Sequence, residues 1–230
     1  MREVAIAAAR RESVRSHEQR FVDSSSHPGG SSDYPWSARR QPWMNVNTEN
    51  WPRPHRLTVD EYYRMAEVGL LSPDDRVELI EGEIVEMPPI GSRHAAVVTI
   101  LAKRLIQGVG DSADVHIQAP VRLGPRSEPQ PDIALLAPRA DCYRAGHPQA
   151  CDVSLLIEVS ESTLRFDREV KSRLYARHGV PEYWVIDLVE DLVRVYRDPD
   201  GGRYREQQQA STGVVAVPGV HVEIDVESLF

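Results

Sequence analysis

The chain has 230 residues, 41% hydrophobic and 27% charged, which is enough apolar material for one globular, water-soluble domain with a real core. Its net charge of -8 excludes a strongly basic, nonspecific nucleic-acid binder, and no apolar run approaches the length of a membrane span. Residues 1–43 carry 7 basic and 5 acidic side chains, leaving 20 basic and 30 acidic for the rest.

Residues 1–56 read as a disordered or loosely attached N-terminal tail. Ser24 to Ser32 is rich in serine and glycine, and Trp36, Trp43 and Trp51 stand among prolines and polar residues. Met44 is a candidate for the natural start. The apolar part of Met1 to Arg11 is too short for a secretory leader, so a cytoplasmic location is expected, with Cys142 and Cys151 reduced.

A domain is expected over residues 57–230. Thr58-Val59-Asp60-Glu61 has the capping-box pattern and opens a helix towards Gly69. Val77 to Ile80 and Glu83 to Met87 read as two strands across a tight Glu81-Gly82 turn. A helix from Ser92 to Gln107 carries an apolar stripe of Ala96, Ile100, Leu101 and Leu105, and Gly108 and Gly110 end it. Strands are expected over Val115 to Leu123, Ile133 to Leu136 and Val153 to Val159, followed by a helix from Leu164 to His178. Tyr183 to Leu188 is a near-continuous apolar strand, buried on both faces. Leu192 to Tyr196 and Tyr204 to Gln208 flank a turn at Asp198 to Gly202, and short strands near Val214 and Val220 finish the chain. The expected architecture is an α/β domain with a mixed β-sheet flanked by helices.

Three charged residues stand in apolar surroundings. Asp132 opens a strand after Pro131, and Glu158 interrupts Leu155-Leu156-Ile157 and Val159. Burying such an ion costs roughly several kcal/mol unless something compensates. Strand alternation puts Leu156, Glu158 and Ser160 on one face, so pairing of the two strands would bring Asp132 near Glu158. Two adjacent carboxylates repel, and Mg²⁺ relieves such a repulsion. Lys171, Leu174, Tyr175 and His178 share a helix face from which the ammonium could reach the acids.

Each residue also has an ordinary explanation. Asp132 can cap a turn, and Lys171 can pair on the helix surface with Asp167, worth about 0.3–0.5 kcal/mol. His94, at the start of a helix, is either a contact to the site or, as the ordinary reading, a capping or surface histidine, and His178 reads as a cation at a helix C-terminus. Arg165, Arg168, Arg173 and Arg177 are either phosphate contacts or solvated helix arginines.

In order and spacing, Arg76 to Ile84, Pro129-Gln130-Pro131-Asp132, Leu156 to Ser160, Lys171 and Tyr175 to Trp184 resemble the Uma-type restriction endonuclease family. That family lies within the PD-(D/E)xK phosphodiesterase superfamily, and the resemblance runs from Leu57 to Phe230. It implies a restriction-endonuclease-like core and Mg²⁺- or Mn²⁺-dependent hydrolysis of DNA, leaving 5′-phosphate and 3′-hydroxyl ends. Asp132 and Glu158 match the metal carboxylates, Glu78 the upstream acid and further metal ligand, and Lys171 the catalytic lysine. The superfamily lysine normally stands two residues after the glutamate, where this chain has Ser160. A homodimer with two active sites suits cutting of two strands. The alternatives are a noncatalytic nuclease-like module that binds DNA or protein, and a structural protein that dimerises through apolar hairpins.

Overall fold

The computed structural model describes residues 53–72 and 74–230. Residues 1–52 of the expected tail, Met44 included, lie outside the described residues. Just before the first helix, Leu57 N–H donates to the Gly82 carbonyl at 3.0 Å and Arg56 pairs with Glu83.

Helix α1 (Val59–Glu67) begins at a working capping box. Thr58 Oγ1 accepts from the Glu61 backbone N–H at 3.2 Å, and Glu61 Oε2 accepts from the Thr58 N–H at 2.8 Å. Strands β1 (Val77–Ile80) and β2 (Glu83–Glu86) form an antiparallel hairpin. Its turn residues Glu81 and Gly82 both have positive φ, at 51° and 80°, as the tight hairpin turn requires. Gly82 is also needed for space, because a Cβ there would lie 2.8 Å from the Arg56 Cβ.

Helix α2 (Ser92–Val109) buries Val97, Val98, Leu101, Ala102, Leu105 and Val109. The expected stripe was partly right: Leu101 and Leu105 belong to it, but Ala96 is exposed and Ile100 half-buried. Gly108 is inside the helix rather than at its end. A Cβ on it would sit 2.6 Å from Val222 Cγ2, so the glycine lets the C-terminal segment close against the helix.

The central sheet has six strands in the order β3 (Asp114–Ile117), β4 (Ile133–Leu136), β5 (Val153–Ser160), β6 (Glu182–Asp187), β7 (Leu192–Asp200) and β8 (Arg203–Ala210). Only β5 and β6 run parallel; the other neighbours are antiparallel. The parallel pair needs a crossover, supplied by a composite helix. It comprises α3 (Leu164–Phe166), a π-helical turn over Asp167–Lys171 and α4 (Ser172–Arg177). Strands β9 (Val214–Ala216) and β10 (Glu223–Asp225) pair separately.

Both faces of the sheet are covered. Leu155, Ile157, Val159, Trp184 and Ile186 pack with α2 and the β9–β10 region. Leu156, Tyr183 and Val185 pack on the other side with Leu174, Tyr175, Tyr196 and Tyr204. Such double coverage explains the unbroken apolar runs of β5 and β6.

Two expected elements differ. The strand expected over Val115 to Leu123 ends at Ile117, because Gln118 takes a positive φ of 47° and turns the chain. The turn expected at Asp198 to Gly202 shrinks to Gly201 and Gly202, since Pro199 and Asp200 remain paired with Tyr204 and Arg203.

Candidate active site

The antiparallel register aligns Ile133 with Ile157, so Asp132 and Glu158 occupy the next position at one end of the β4–β5 pair. Both line a cleft of about 300 Å³, bounded by the base of the β1–β2 hairpin, the start of α2 and the turn after β5. Glu78 of β1 and Asp167 of the π turn line the same cleft. All four carboxylates are buried.

Lys171 is wholly buried and supplies the compensating charge. Its Nζ donates to Glu158 Oε1 at 2.8 Å and to Glu78 Oε1 at 3.0 Å. Glu78 Oε2 is also 3.0 Å away, but it is poorly aligned and makes no hydrogen bond. Tyr175, one turn later on the same face, donates its hydroxyl to Glu158 Oε1 at 2.7 Å.

The surface pair expected between Lys171 and Asp167 is replaced by this inward cluster. In the π turn the Ser172 N–H bonds to the Asp167 carbonyl five residues back, and both Asp167 and Lys171 point inward. The Tyr183 hydroxyl donates to the same carbonyl at 3.2 Å. Asp167 Oδ2 accepts from Ser160 Oγ at 2.7 Å and Thr163 Oγ1 at 2.6 Å, while Oδ1 is buried without a partner. Ser160 therefore anchors an acid, and the ammonium beside Glu158 comes from the helix.

Asp132 is held differently. Its Oδ2 accepts from the Val159 N–H at 2.9 Å and from His94 Nε2 at 3.0 Å, and its Oδ1 accepts from Gln118 Nε2 at 3.1 Å. Gln118 also donates its backbone N–H to the Asp132 carbonyl at 3.0 Å, so its left-handed backbone grips the aspartate twice. His94 is thus neither a cap nor a surface group; its Nδ1 is buried without a partner. Gln118 and Asp167 carried no recognisable sequence signal.

The environments push the acids apart. Burial raises Glu158 well above the usual carboxylate range; Lys171 counteracts this, and Asp167, Asp132 and Glu78 reinforce it. Burial likewise raises Glu78 and Asp167, against the pull of Lys171. For Asp132, burial is outweighed by His94, the Val159 N–H and Gln118, and its pKa falls. Burial would lower Lys171, but Glu158, Glu78 and Asp167 together raise it. Four carboxylates are thus gathered near one ammonium, and a bound cation would offset the repulsion among them. His178, expected as a helix-terminal cation, is shifted down by burial and by Arg177, which favours the neutral ring.

A family model described as "Uma2: Putative restriction endonuclease" matches residues 59–227. The chain belongs to the Uma2 family. Among solved structures, one described as "a putative nuclease belonging to DUF820" from Anabaena variabilis matches with a TM-score of 0.59 at 21% identity. The match covers 76% of this chain and 97% of that one and shows a shared fold. No curated protein matches the chain. As a Uma2 protein it has a nuclease-like fold with the expected mixed sheet. No described helix is long and apolar enough to cross a membrane.

Among the described residues, no three His, Cys, Asp or Glu side chains already form a metal cage. The donor chemistry nevertheless fits a hard divalent cation. All four acids offer carboxylate oxygens, both Lys171 and Tyr175 bond to Glu158 through Oε1 alone, and Glu78 Oε2 and Asp167 Oδ1 have no hydrogen-bond donor.

Proposed function

We propose that this Uma2 protein is a Mg²⁺- or Mn²⁺-dependent endonuclease that hydrolyses DNA phosphodiester bonds in the cytoplasm. The observation that carries the reading is that Asp132, Glu158 and Glu78, distant in sequence, line one cleft, with the buried Lys171 bonded to both glutamates. Asp132 and Glu158 would hold the ion, with Glu78 as a further oxygen donor. A bound divalent ion lowers the pKa of water and polarises a phosphoryl oxygen.

The chain's own residues prepare the site. His94, Gln118 and the Val159 N–H fix the Asp132 carboxylate and keep it ionised. Lys171 and Tyr175 fix Glu158, leaving Oε2 outside both hydrogen bonds. The buried Lys171 ammonium, bonded to both glutamates, offsets part of their charge and holds them in place. Two such sites in a homodimer would suit cleavage of both strands.

The test is nicking of supercoiled DNA with Mg²⁺ or Mn²⁺ by wild type and by Asp132→Ala. Metal-dependent cutting that disappears in the variant supports the reading; equal cutting by both overturns it. Ser160 in place of the motif lysine favours a second reading, a noncatalytic nuclease-like module that binds DNA or protein. Calorimetric titration separates them, because that module needs no divalent ion.

A further inference from the structure

The composite helix has a second charged face. On its inward side Asp167 lines the acidic cleft and Lys171 is bonded to two of the cleft's glutamates, while Arg165, Arg168 and Arg173 line a separate groove of about 450 Å³. Arg203 of β8 faces them across it, and Tyr196 and Tyr204 form its buried wall. The β7–β8 turn lies against the helix at one end, where a Cβ on Gly202 would lie 4.0 Å from the Arg173 carbonyl.

The charge balance here is opposite to that of the chain. Glu169 is the single acid among the lining residues, and Arg165 pairs with it at 3.2 Å. Arg168, Arg173 and Arg203 make no ion pair among the described residues. Nearby arginines do: Arg177 is paired with Glu81, and Arg205 with Asp198 and Asp200. Three exposed guanidiniums without an ion-pair partner among the described residues make this groove locally positive on a chain of net charge -8, a field that attracts anions. Guanidinium forks match phosphate oxygens, and repeated arginines match a repeating polyanion better than a single small anion.

The groove also adjoins the cleft along the chain, since Thr163 lines the cleft and Leu164 lines the groove. We propose that this groove binds the phosphodiester backbone of duplex DNA beside the acidic cleft; this rests on DNA being the substrate. Arg168 and Arg173 are the principal contacts and Arg203 closes the far wall. The groove supplies the attraction that the acid-lined cleft cannot.

The test measures binding of a labelled DNA duplex to the full chain by fluorescence anisotropy at several salt concentrations with Mg²⁺. Cutting of the same sequence is followed in parallel. The double variant Arg168→Gln/Arg173→Gln is compared with Arg126→Gln/Arg144→Gln, an equal charge change at exposed arginines outside the groove. The groove variant should weaken binding at least tenfold and reduce the slope of log affinity against log salt by roughly 1.8, from about 0.9 per phosphate contact. The control should stay within twofold. Equal loss in both doubles, no loss in the groove variant, or no DNA binding by wild type overturns the proposal. Arginine-dependent binding without any cutting keeps the groove and removes the hydrolase reading. Asp132-dependent cutting with unchanged binding in the groove variant does the reverse.

Discussion

Two buried ionic clusters lie on adjoining strands of this sheet, and they are built on opposite principles. At the end of β6, Asp187 accepts from the Val189 and Glu190 N–H groups through Oδ1, both at 3.0 Å. Its Oδ2 accepts from Arg194 Nε at 3.0 Å and Nη2 at 2.8 Å. Both oxygens of the buried Asp187 are satisfied and its charge is matched by Arg194, which also reaches out to the exposed Glu190 at 2.6 Å. Next to it, Ser160 of β5 is in register with Asp187, but in the cluster beyond, Glu78, Glu158 and Asp167 gather about Lys171, and Asp132 is held by His94, Gln118 and the Val159 N–H. Buried polar atoms there lack partners. A balanced cluster holds strands together; an unbalanced one bordering a cleft is poised for a further charge.

Removing each cluster's cation breaks this comparison most sharply. Lys171→Met leaves Glu78 and Glu158 buried without their ammonium and should cost about 3–5 kcal/mol at neutral pH by chemical denaturation. A loss below about 1 kcal/mol would show that the acids are already neutral or reach water. Arg194→Met should cost less, about 1.5–3 kcal/mol, because two backbone N–H groups still hold Asp187.

Divalent ions should distinguish the clusters directly. Mg²⁺ or Mn²⁺ at 100 times its dissociation constant should stabilise wild type by about 2.7 kcal/mol. Arg194→Met should keep this gain and Asp132→Ala should lose it; a thermal shift of equal size in all three proteins would count against a site at Asp132.

The pH dependence has a definite sign. Burial raises Glu158, so the stability from its neutral form is complete below its ordinary value of 4.5 and is lost as pH rises through the raised value. Asp132 works the other way: its contribution is present above its ordinary value of 3.8 and lost as pH falls through the lowered one. Glu158→Gln fixes the neutral form, so its melting temperature relative to wild type should climb as pH rises from 5 to 9. A pH-independent difference would contradict the raised pKa. The smallest effect is expected from Ser160→Ala, which takes one of two hydroxyl donors from Asp167 Oδ2 and should cost about 1 kcal/mol in denaturant titration.

Much of the fold was legible because local rules and burial agreed. Thr58 and Glu61 spell a capping box, Glu81-Gly82 a tight turn, and the apolar run of β6 a strand covered on both faces. The apolar faces of α2 were less legible, since helical spacing allows several overlapping stripes and packing selects one. Asp132, Glu158, Lys171 and Glu78 were visible as charges in apolar or motif-like settings, but no spacing rule shows which charge meets which.

The amino-acid order by itself determined the helices, the main strands and the unusual acids, because these depend on periodicity and on neighbours in the chain. Only tertiary structure decided that a π turn swings Lys171 into the core, that Gln118 and His94 grip Asp132, and that Ser160 anchors Asp167. Those outcomes depend on contacts between residues far apart in sequence, where register, burial and the shared electrostatic field set each partner.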